Sequence, residues 1–124
     1  MINFQNILVK VRTLGIKSII LNDPTTYNSL SIKTLKSLLL AIKTLNKDKI
    51  TKVIIIEGAG KGFSSGHNLK ELKQLKNRKN YQKLFNLCSE VMLEIVNGQK
   101  IVIAKVHGSA FAAGCQLVAS CDLA

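Results

Sequence analysis

The segment KVIIIEGAGKGFSSGHNLKEL, residues 52–72, runs from unbroken β-branched residues into a glycine- and serine-rich loop and then into a charged stretch. A short apolar run between turn residues is typical of a strand buried on both faces of a parallel sheet. Small residues directly after it let the chain turn sharply toward a helix. The segment predicts a strand at 52–57, a glycine-rich loop at 58–66 and a helical stretch beyond.

The residues before this segment predict a hairpin and a helix. Residues 7–21 hold two groups of β-branched residues around Gly15, which indicates two short strands joined by a tight turn. A loop with the only proline then leads to a helix N-cap at Ser29 or Ser31. Apolar residues recur at helical spacing over 31–46, so strand, helix and strand follow one another in a βαβ rhythm.

The residues after the segment continue the alternation. Apolar positions from Tyr81 to Ile95 predict a second helix, closed by Asn97 and Gly98. A buried strand follows at 101–106, then a small-residue helix at about 112–120, and a further strand begins at 122–124. The fold class is therefore α/β, in one domain over residues 1–124.

Composition indicates a globular chain with a strong positive charge. Hydrophobic residues make up 47% and charged residues 20%, while 18 Lys and Arg against 7 Asp and Glu give a net charge of +11. Such a field favours anionic partners, among them nucleic acid, a membrane surface or a phosphate-bearing ligand. A basic solvated surface without a specific anion site explains the same charge equally well.

The cysteines and the lack of sorting signals predict a cytoplasmic protein. Cys88, Cys115 and Cys121 are an odd number and cannot form a closed disulfide framework, which favours a reducing compartment. We find no signal peptide, transit segment or apolar run of the ~18 residues that a membrane span needs. The cysteines and histidines also lack a zinc spacing, so no metal site is expected.

The glycine-rich loop does not match the phosphate-binding motifs that it superficially suggests. A Walker A loop requires Ser or Thr after its lysine, but Lys61 is followed by Gly62. A dinucleotide fingerprint requires glycine three positions after Gly60, where Phe63 stands. Both kinds of nucleotide site are therefore disfavoured.

Two segments, at 58–72 and 107–117, instead share small residues at a strand-to-helix junction. Such junctions expose free backbone N–H groups, and two of them aimed at one point form an oxyanion hole. Tight packing of strand against helix accounts for small residues just as well. Spacing alone leaves both explanations open.

Three segments resemble the crotonase (enoyl-CoA hydratase/isomerase) superfamily, in the family's order. GAGKGFSSGHNLKEL at 58–72 resembles its first signature, HGSAFAAGCQLVASCDLA at 107–124 its second, and LNDPTTYNSLS at 21–31 its leucine-asparagine-x-proline segment. The resemblance implies a crotonase-like ββα spiral of which residues 1–124 form the N-terminal half. Members are about twice as long and trimeric, so the chain is expected to end midway through the core.

The resemblance also implies a ligand, an acyl-CoA thioester of fatty-acid or acyl-CoA metabolism. Its carbonyl oxygen would accept hydrogen bonds from the N–H groups of His67, after Gly66, and Ala113, before Gly114. Coenzyme A is part of this substrate, so no separate cofactor is expected. The family's adenine and pantetheine contacts correspond to Ser64, Ser65, Leu69 and Lys70, and Gly66 and Gly114 complete the expected binding residues.

The chain departs from the family where acid/base chemistry is expected. Gln116 stands in place of a glutamate that handles the proton of water, and an amide has no basic carboxylate. Asn68 replaces the family's aspartate, and the second glutamate would lie beyond Ala124. We therefore expect acyl-CoA binding with weak or absent hydratase activity.

Two alternatives stay open at this stage. The chain could be an inactive remnant or a subunit that needs a separate second half. It could also be a basic nucleic-acid-binding module, although no aromatic residues interleave its lysines. His107 is expected to be a turn or packing residue, and the lysines of 69–83 the exposed face of a mobile helical segment.

Overall fold

A computed structural model describes residues 2–124, with side chains from residue 4 onward. Its strands are β1 (Ile2–Phe4), β2 (Ile7–Thr13), β3 (Ile16–Leu21), β4 (Val53–Gly58) and β5 (Ile101–Lys105). Its helices are α1 (Ile32–Lys47), α2 (Leu69–Gln74), α3 (Arg78–Asn97) and α4 (Ala113–Ser120), with a 3-10 turn at Pro24–Thr26. The strands form one sheet in chain order, antiparallel from β1 to β3 and parallel from β3 to β5.

The opening hairpin is confirmed, and the sheet contains one strand that the sequence did not predict. β2 and β3 pair antiparallel around Gly15, whose φ of +84° is the left-handed conformation that a tight turn favours. The additional strand, β1, pairs with β2 from Ile2 opposite Val9 to Phe4 opposite Ile7. Three residues are too few for an alternating pattern to be recognised.

The βαβ unit is confirmed. The Ser31 hydroxyl accepts a hydrogen bond from the Thr34 amide at 3.2 Å, so the N-cap of α1 is Ser31. After α1 the chain returns to place β4 parallel to β3, with Ile19 opposite Ile56. A helix carrying the chain back is the ordinary way to connect neighbouring parallel strands.

The second long helix is also confirmed, and it begins three residues before the predicted start. Asn77 caps it by accepting from the Asn80 amide at 2.9 Å, and Gly98 is its C-cap. The lysine-rich stretch before it is divided, because α2 ends at Gln74 and Leu75 caps it. The predicted final strand is reduced to a single parallel bridge between Leu123 and Ile103.

One apolar cluster joins the sheet to the helices. Buried residues of β3 and β4, such as Ile19 and Ile56, lie in the same cluster as Leu38 of α1 and Val91 of α3. Phe63, in the loop after β4, is also fully buried. Because β4 and β5 are parallel neighbours, the loops that follow them leave the same edge of the sheet, which brings the two signature segments together.

Candidate active site

The loop after β4 is wrapped around one buried side-chain amide. Asn28 is fully buried, and its Nδ2 donates to the Ala59 carbonyl at 2.7 Å and to the Gly62 carbonyl at 3.0 Å. A Cβ added at Gly58 would lie 2.8 Å from the Phe63 carbonyl oxygen, so only glycine fits there. The Asn28 amide therefore fixes the course of the loop from the inside.

The loop after β5 is bonded directly to the first loop. The Ser109 carbonyl accepts from the Phe63 amide at 3.0 Å and the Ser64 amide at 3.2 Å. The Ser64 carbonyl in turn accepts from the Phe111 amide at 3.0 Å, and Ser64 forms a parallel bridge with Ala110. The parallel pairing of β4 and β5 thus resumes beyond the strands and holds the two loops in register.

Two glycines allow the loops to approach closely. Gly66 has φ +87°, and a Cβ on it would lie 2.8 Å from the Phe111 carbonyl oxygen and 3.3 Å from the Ala113 nitrogen. A Cβ on Gly114 would lie 2.5 Å from the Ser64 carbonyl oxygen. Neither position has room for a side chain, so both glycines are needed for this contact.

The approach places two backbone amides beside one another. His67 N–H directly follows Gly66, and Ala113 N–H opens the first turn of α4. Within residues 2–124, neither amide donates a hydrogen bond to a protein acceptor. Free amides at a helix start carry the positive end of the helix dipole, so this point favours an oxygen with negative charge.

A third segment, residues 23–30, closes one side of the site. The Tyr27 carbonyl accepts from the Ser65 amide at 2.9 Å, and the Gly66 carbonyl accepts from the Leu30 amide at 2.7 Å. Tyr27 and Asn28 both have φ of 54°, a conformation that non-glycine residues seldom adopt. These bonds and the Asn28 amide keep the segment in that shape.

Three open grooves surround this junction, and Tyr27 borders all of them. The first, of about 350 Å³, lies between residues 25–29 and 65–70; the second, of about 260 Å³, is bordered by Ser65, Ser109 and Phe111. The third, of about 430 Å³, runs along Pro24 and Lys61. Ser65 borders both the first and the second groove, so a ligand at the two amides has space in either groove.

The structure brings most of the sequence-predicted site residues to this junction. Ser65, Leu69 and Lys70 border the first groove beside His67. Ser64 is different: it is only 1% exposed, and its hydroxyl donates to the Asn28 carbonyl at 2.8 Å, so its side chain supports the loop from behind. Gln116 lies one turn after Ala113 on α4, with an exposed side chain.

The His67 ring packs against α3. Its centroid lies 5.4 Å from that of Phe85, edge to face, and Phe85 is stacked with Tyr81 in turn. The Tyr81 hydroxyl donates to the Leu72 carbonyl at 3.0 Å. An aromatic row therefore links the two-amide junction to α2 and α3.

Sequence reasoning missed Tyr27 and Asn28 as parts of the site. The available signal was the polar segment NDPTTYNS, which was interpreted as a loop leading to a helix cap and as part of a segment resembling the family, with no site role for its residues. His107 joins the two signature loops, because its Nε2 lies 2.7 Å from the Gly60 carbonyl oxygen. That contact agrees with the turn role expected for His107.

The histidines, cysteines and acids do not converge. Among residues 2–124, no three His, Cys, Asp or Glu side chains could share a metal ion.

Burial raises the pKa of the Cys88 thiol, and burial with the nearby Asp122 raises the pKa of Cys121 to about 12. Over residues 2–124, no helix has the length and apolar character to cross a membrane.

Comparison with known proteins places this geometry in a family. Residues 12–124 match the family model described as enoyl-CoA hydratase/isomerase. The mouse enoyl-CoA hydratase domain-containing protein 3, mitochondrial, is 48% identical over 110 residues, which cover 89% of this chain and 37% of that protein. The chain thus spans well under half the length of this curated relative.

Solved structures agree. The enoyl-CoA hydratase of Mycobacterium smegmatis superposes with a TM-score of 0.92 at 42% identity, covering 95% of this chain and 46% of that one. Human enoyl Coenzyme A hydratase domain-containing protein 3 superposes with a TM-score of 0.88 at 45% identity, with 94% and 46% covered. The chain has the crotonase-like fold over the matched part, and it belongs to the enoyl-CoA hydratase/isomerase family.

Proposed function

We propose that this chain binds an acyl-CoA thioester, with the thioester carbonyl oxygen between the amides of His67 and Ala113. The observation that carries the proposal is the close approach at Gly66, which sets two amides without protein acceptors side by side. The family of the chain supports an acyl-CoA as the ligand. A backbone N–H group needs an acceptor from protein, water or ligand, and one bound oxygen would satisfy both amides.

The arrangement suits a reaction in which the thioester becomes an enolate. When a proton leaves the carbon next to the carbonyl, negative charge moves onto the carbonyl oxygen. Preorganised amide donors stabilise that charge more than the neutral thioester, by a few kcal/mol for each donor. The positive end of the α4 dipole adds to this effect at Ala113.

Gln116 limits what the chain can do after the enolate forms. It follows Ala113 by one turn, so its exposed amide is placed to orient a water molecule or a polar part of the substrate. An amide does not take up a proton at neutral pH, so Gln116 cannot act as the general base. We therefore expect binding and polarisation of the thioester, with hydration of an enoyl-CoA weak or absent.

The grooves provide space for the remainder of the ligand. Ser65, Leu69 and Lys70 border the first groove, and Lys61 lies between the second and third. A net charge of +11 favours the phosphates of coenzyme A at long range. Coenzyme A enters as part of the substrate, so the proposal requires no separate cofactor.

Thermal unfolding with crotonyl-CoA tests the proposal. Ligand at about 100 times its Kd should stabilise the folded chain by about 2.7 kcal/mol and raise its Tm. Free coenzyme A is the control, because it lacks the acyl carbonyl and should give a smaller shift. An unchanged Tm with saturating crotonyl-CoA would show that the chain has no thioester site. The cytoplasmic location stays a prediction.

A further inference from the structure

The His67 side chain holds the one ring nitrogen in the described residues that is buried and has no hydrogen-bond partner, Nδ1. The imidazole is held edge to face against Phe85, 5.4 Å between centroids, so it is not a free surface group. It also borders the first groove, beside Ser65 and Leu69. The residue whose backbone amide faces the proposed carbonyl site therefore also presents a side chain to the ligand space.

The other small polar side chains of this groove are already paired. The Thr26 hydroxyl donates to the Asp23 carboxylate at 2.8 Å and accepts from the Ser29 hydroxyl at 3.0 Å. Asn68 caps α2 by accepting from the Glu71 amide at 3.2 Å. The Ser65 hydroxyl donates to the Thr26 carbonyl at 2.9 Å, and that of Thr25 to Asp23 at 3.3 Å. His67 is thus a group with hydrogen-bonding capacity left for a ligand.

Burial of one nitrogen determines which tautomer the ring adopts. A proton on Nδ1 would be a buried donor without an acceptor, and such orphan donors are rarer than unpaired acceptors. In the neutral imidazole, this cost favours the proton on Nε2. Nε2 has no partner within residues 2–124 and is not among their buried unpaired atoms, so it keeps accessible surface and is available as a donor.

We propose that His67 selects acyl-CoA thioesters whose acyl chain carries an oxygen on one of the first carbons beyond the carbonyl, by donating Nε2–H to that oxygen. This inference rests on the proposed thioester site. Backbone N–H and Nε2–H belong to one residue, so the two acceptors they recognise must be close together in the ligand. A plain hydrocarbon chain would offer Nε2–H no acceptor and would cover it from water, whereas an oxygenated chain satisfies it.

The test compares butyryl-CoA with 3-hydroxybutyryl-CoA, which differ by one oxygen, by isothermal titration calorimetry. The wild-type chain should bind 3-hydroxybutyryl-CoA about fivefold more tightly, as expected for one neutral hydrogen bond. In His67→Phe, which keeps an aromatic ring against Phe85 and keeps the backbone amide, the ratio of the two Kd values should fall to about one.

Two further variants separate the donor from the shape of the ring. His67→Gln places an amide donor near the position of Nε2 and should restore part of the preference, whereas His67→Asn places it near Nδ1 and should not. A wild-type chain that binds both ligands with equal Kd, or a ratio unchanged in His67→Phe, overturns the role of His67 and leaves the thioester site standing. Failure of the wild-type chain to bind either ligand overturns both proposals.

Discussion

A Cβ on Gly66 would lie 3.3 Å from the amide nitrogen of Ala113, although the two residues are 47 positions apart in the sequence. This contact joins the loop after β4 to the start of α4. It depends on backbone bonds between Ser64 and the second loop and on a left-handed φ at Gly66. The candidate site is therefore a property of the backbone more than of its side chains.

Gly66→Ala should destabilise the chain. Alanine pays about 1–2 kcal/mol for a left-handed conformation, and its Cβ would collide with the Phe111 carbonyl, 2.8 Å away. Gly15→Ala is a matched control, because Gly15 has a similar φ of +84° but its Cβ would be 3.5 Å from the nearest atom. Chemical denaturation should show a larger loss in the free energy of unfolding for Gly66→Ala than for Gly15→Ala. Equal losses would show that a Cβ at position 66 does not collide with the second loop.

Asn28→Ala should cost about 3 kcal/mol. The substitution leaves the Ala59 and Gly62 carbonyls without the donor that the fully buried Asn28 side chain supplies. Asn80→Ala is the control, since the side chain of Asn80 has no hydrogen bond within residues 4–124. Urea unfolding measures both changes. A cost for Asn28→Ala no greater than that of the control would mean that the side chain does not organise the loop.

The lowered pKa of Asp48 should make the stability of the fold depend on pH in the acidic range. The hydrogen bond from Lys17 at 2.7 Å, helped by the Thr51 hydroxyl and the Ile50 amide, holds the pKa of this carboxyl well below its ordinary value of 3.8. A lowered folded pKa stabilises the fold above the unfolded pKa, and this contribution is lost as pH falls from about 4 toward the folded value. Tm measured against pH should fall less steeply in Asp48→Asn. Identical slopes would contradict the coupling.

Tyr27 should report on ligand binding. It borders all three grooves and is 57% exposed, and the chain has 2 tyrosines and no tryptophan. In Tyr81→Phe the tyrosine emission comes from Tyr27 alone, and bound crotonyl-CoA should change it because the ligand covers the ring. The control is Tyr27→Phe, whose emission should stay constant. Titration calorimetry gives the ligand concentration that saturates Tyr81→Phe. A constant Tyr27 emission at that concentration would show that the ligand binds outside these grooves.

The elements with strong periodicity were predictable from the sequence. α1 shows a 3.6-residue apolar period with a Ser31 cap, and β4 is a continuous β-branched run, so local patterns and the fold agree there. β1 escaped prediction because three residues give no period, and because its pairing with β2 is a tertiary contact.

The candidate site was predictable only in part. The small residues around Gly66 and Gly114 indicated a close approach, but the same residues were compatible with plain packing until the resemblance was considered. Tyr27 and Asn28 could not be placed, because the hydrogen bonds that join them to the loop after β4 reach residues more than 30 positions away. Ser64 was assigned to the ligand because a sequence does not show which serine of a pair faces inward.

If the amides of His67 and Ala113 hold one thioester oxygen, the infrared carbonyl stretch of a bound thioester measures this directly. Butyryl-CoA labelled with carbon-13 at the carbonyl should absorb at lower frequency when bound than in water, because two preorganised donors polarise the bond. Gly66→Ala, whose Cβ would lie 3.3 Å from the Ala113 nitrogen, should disturb the approach of the two amides and return part of the shift. Circular dichroism checks that the variant is folded. A bound carbonyl with the same frequency as in water, in the wild-type chain, would show that the two amides do not hold the thioester oxygen.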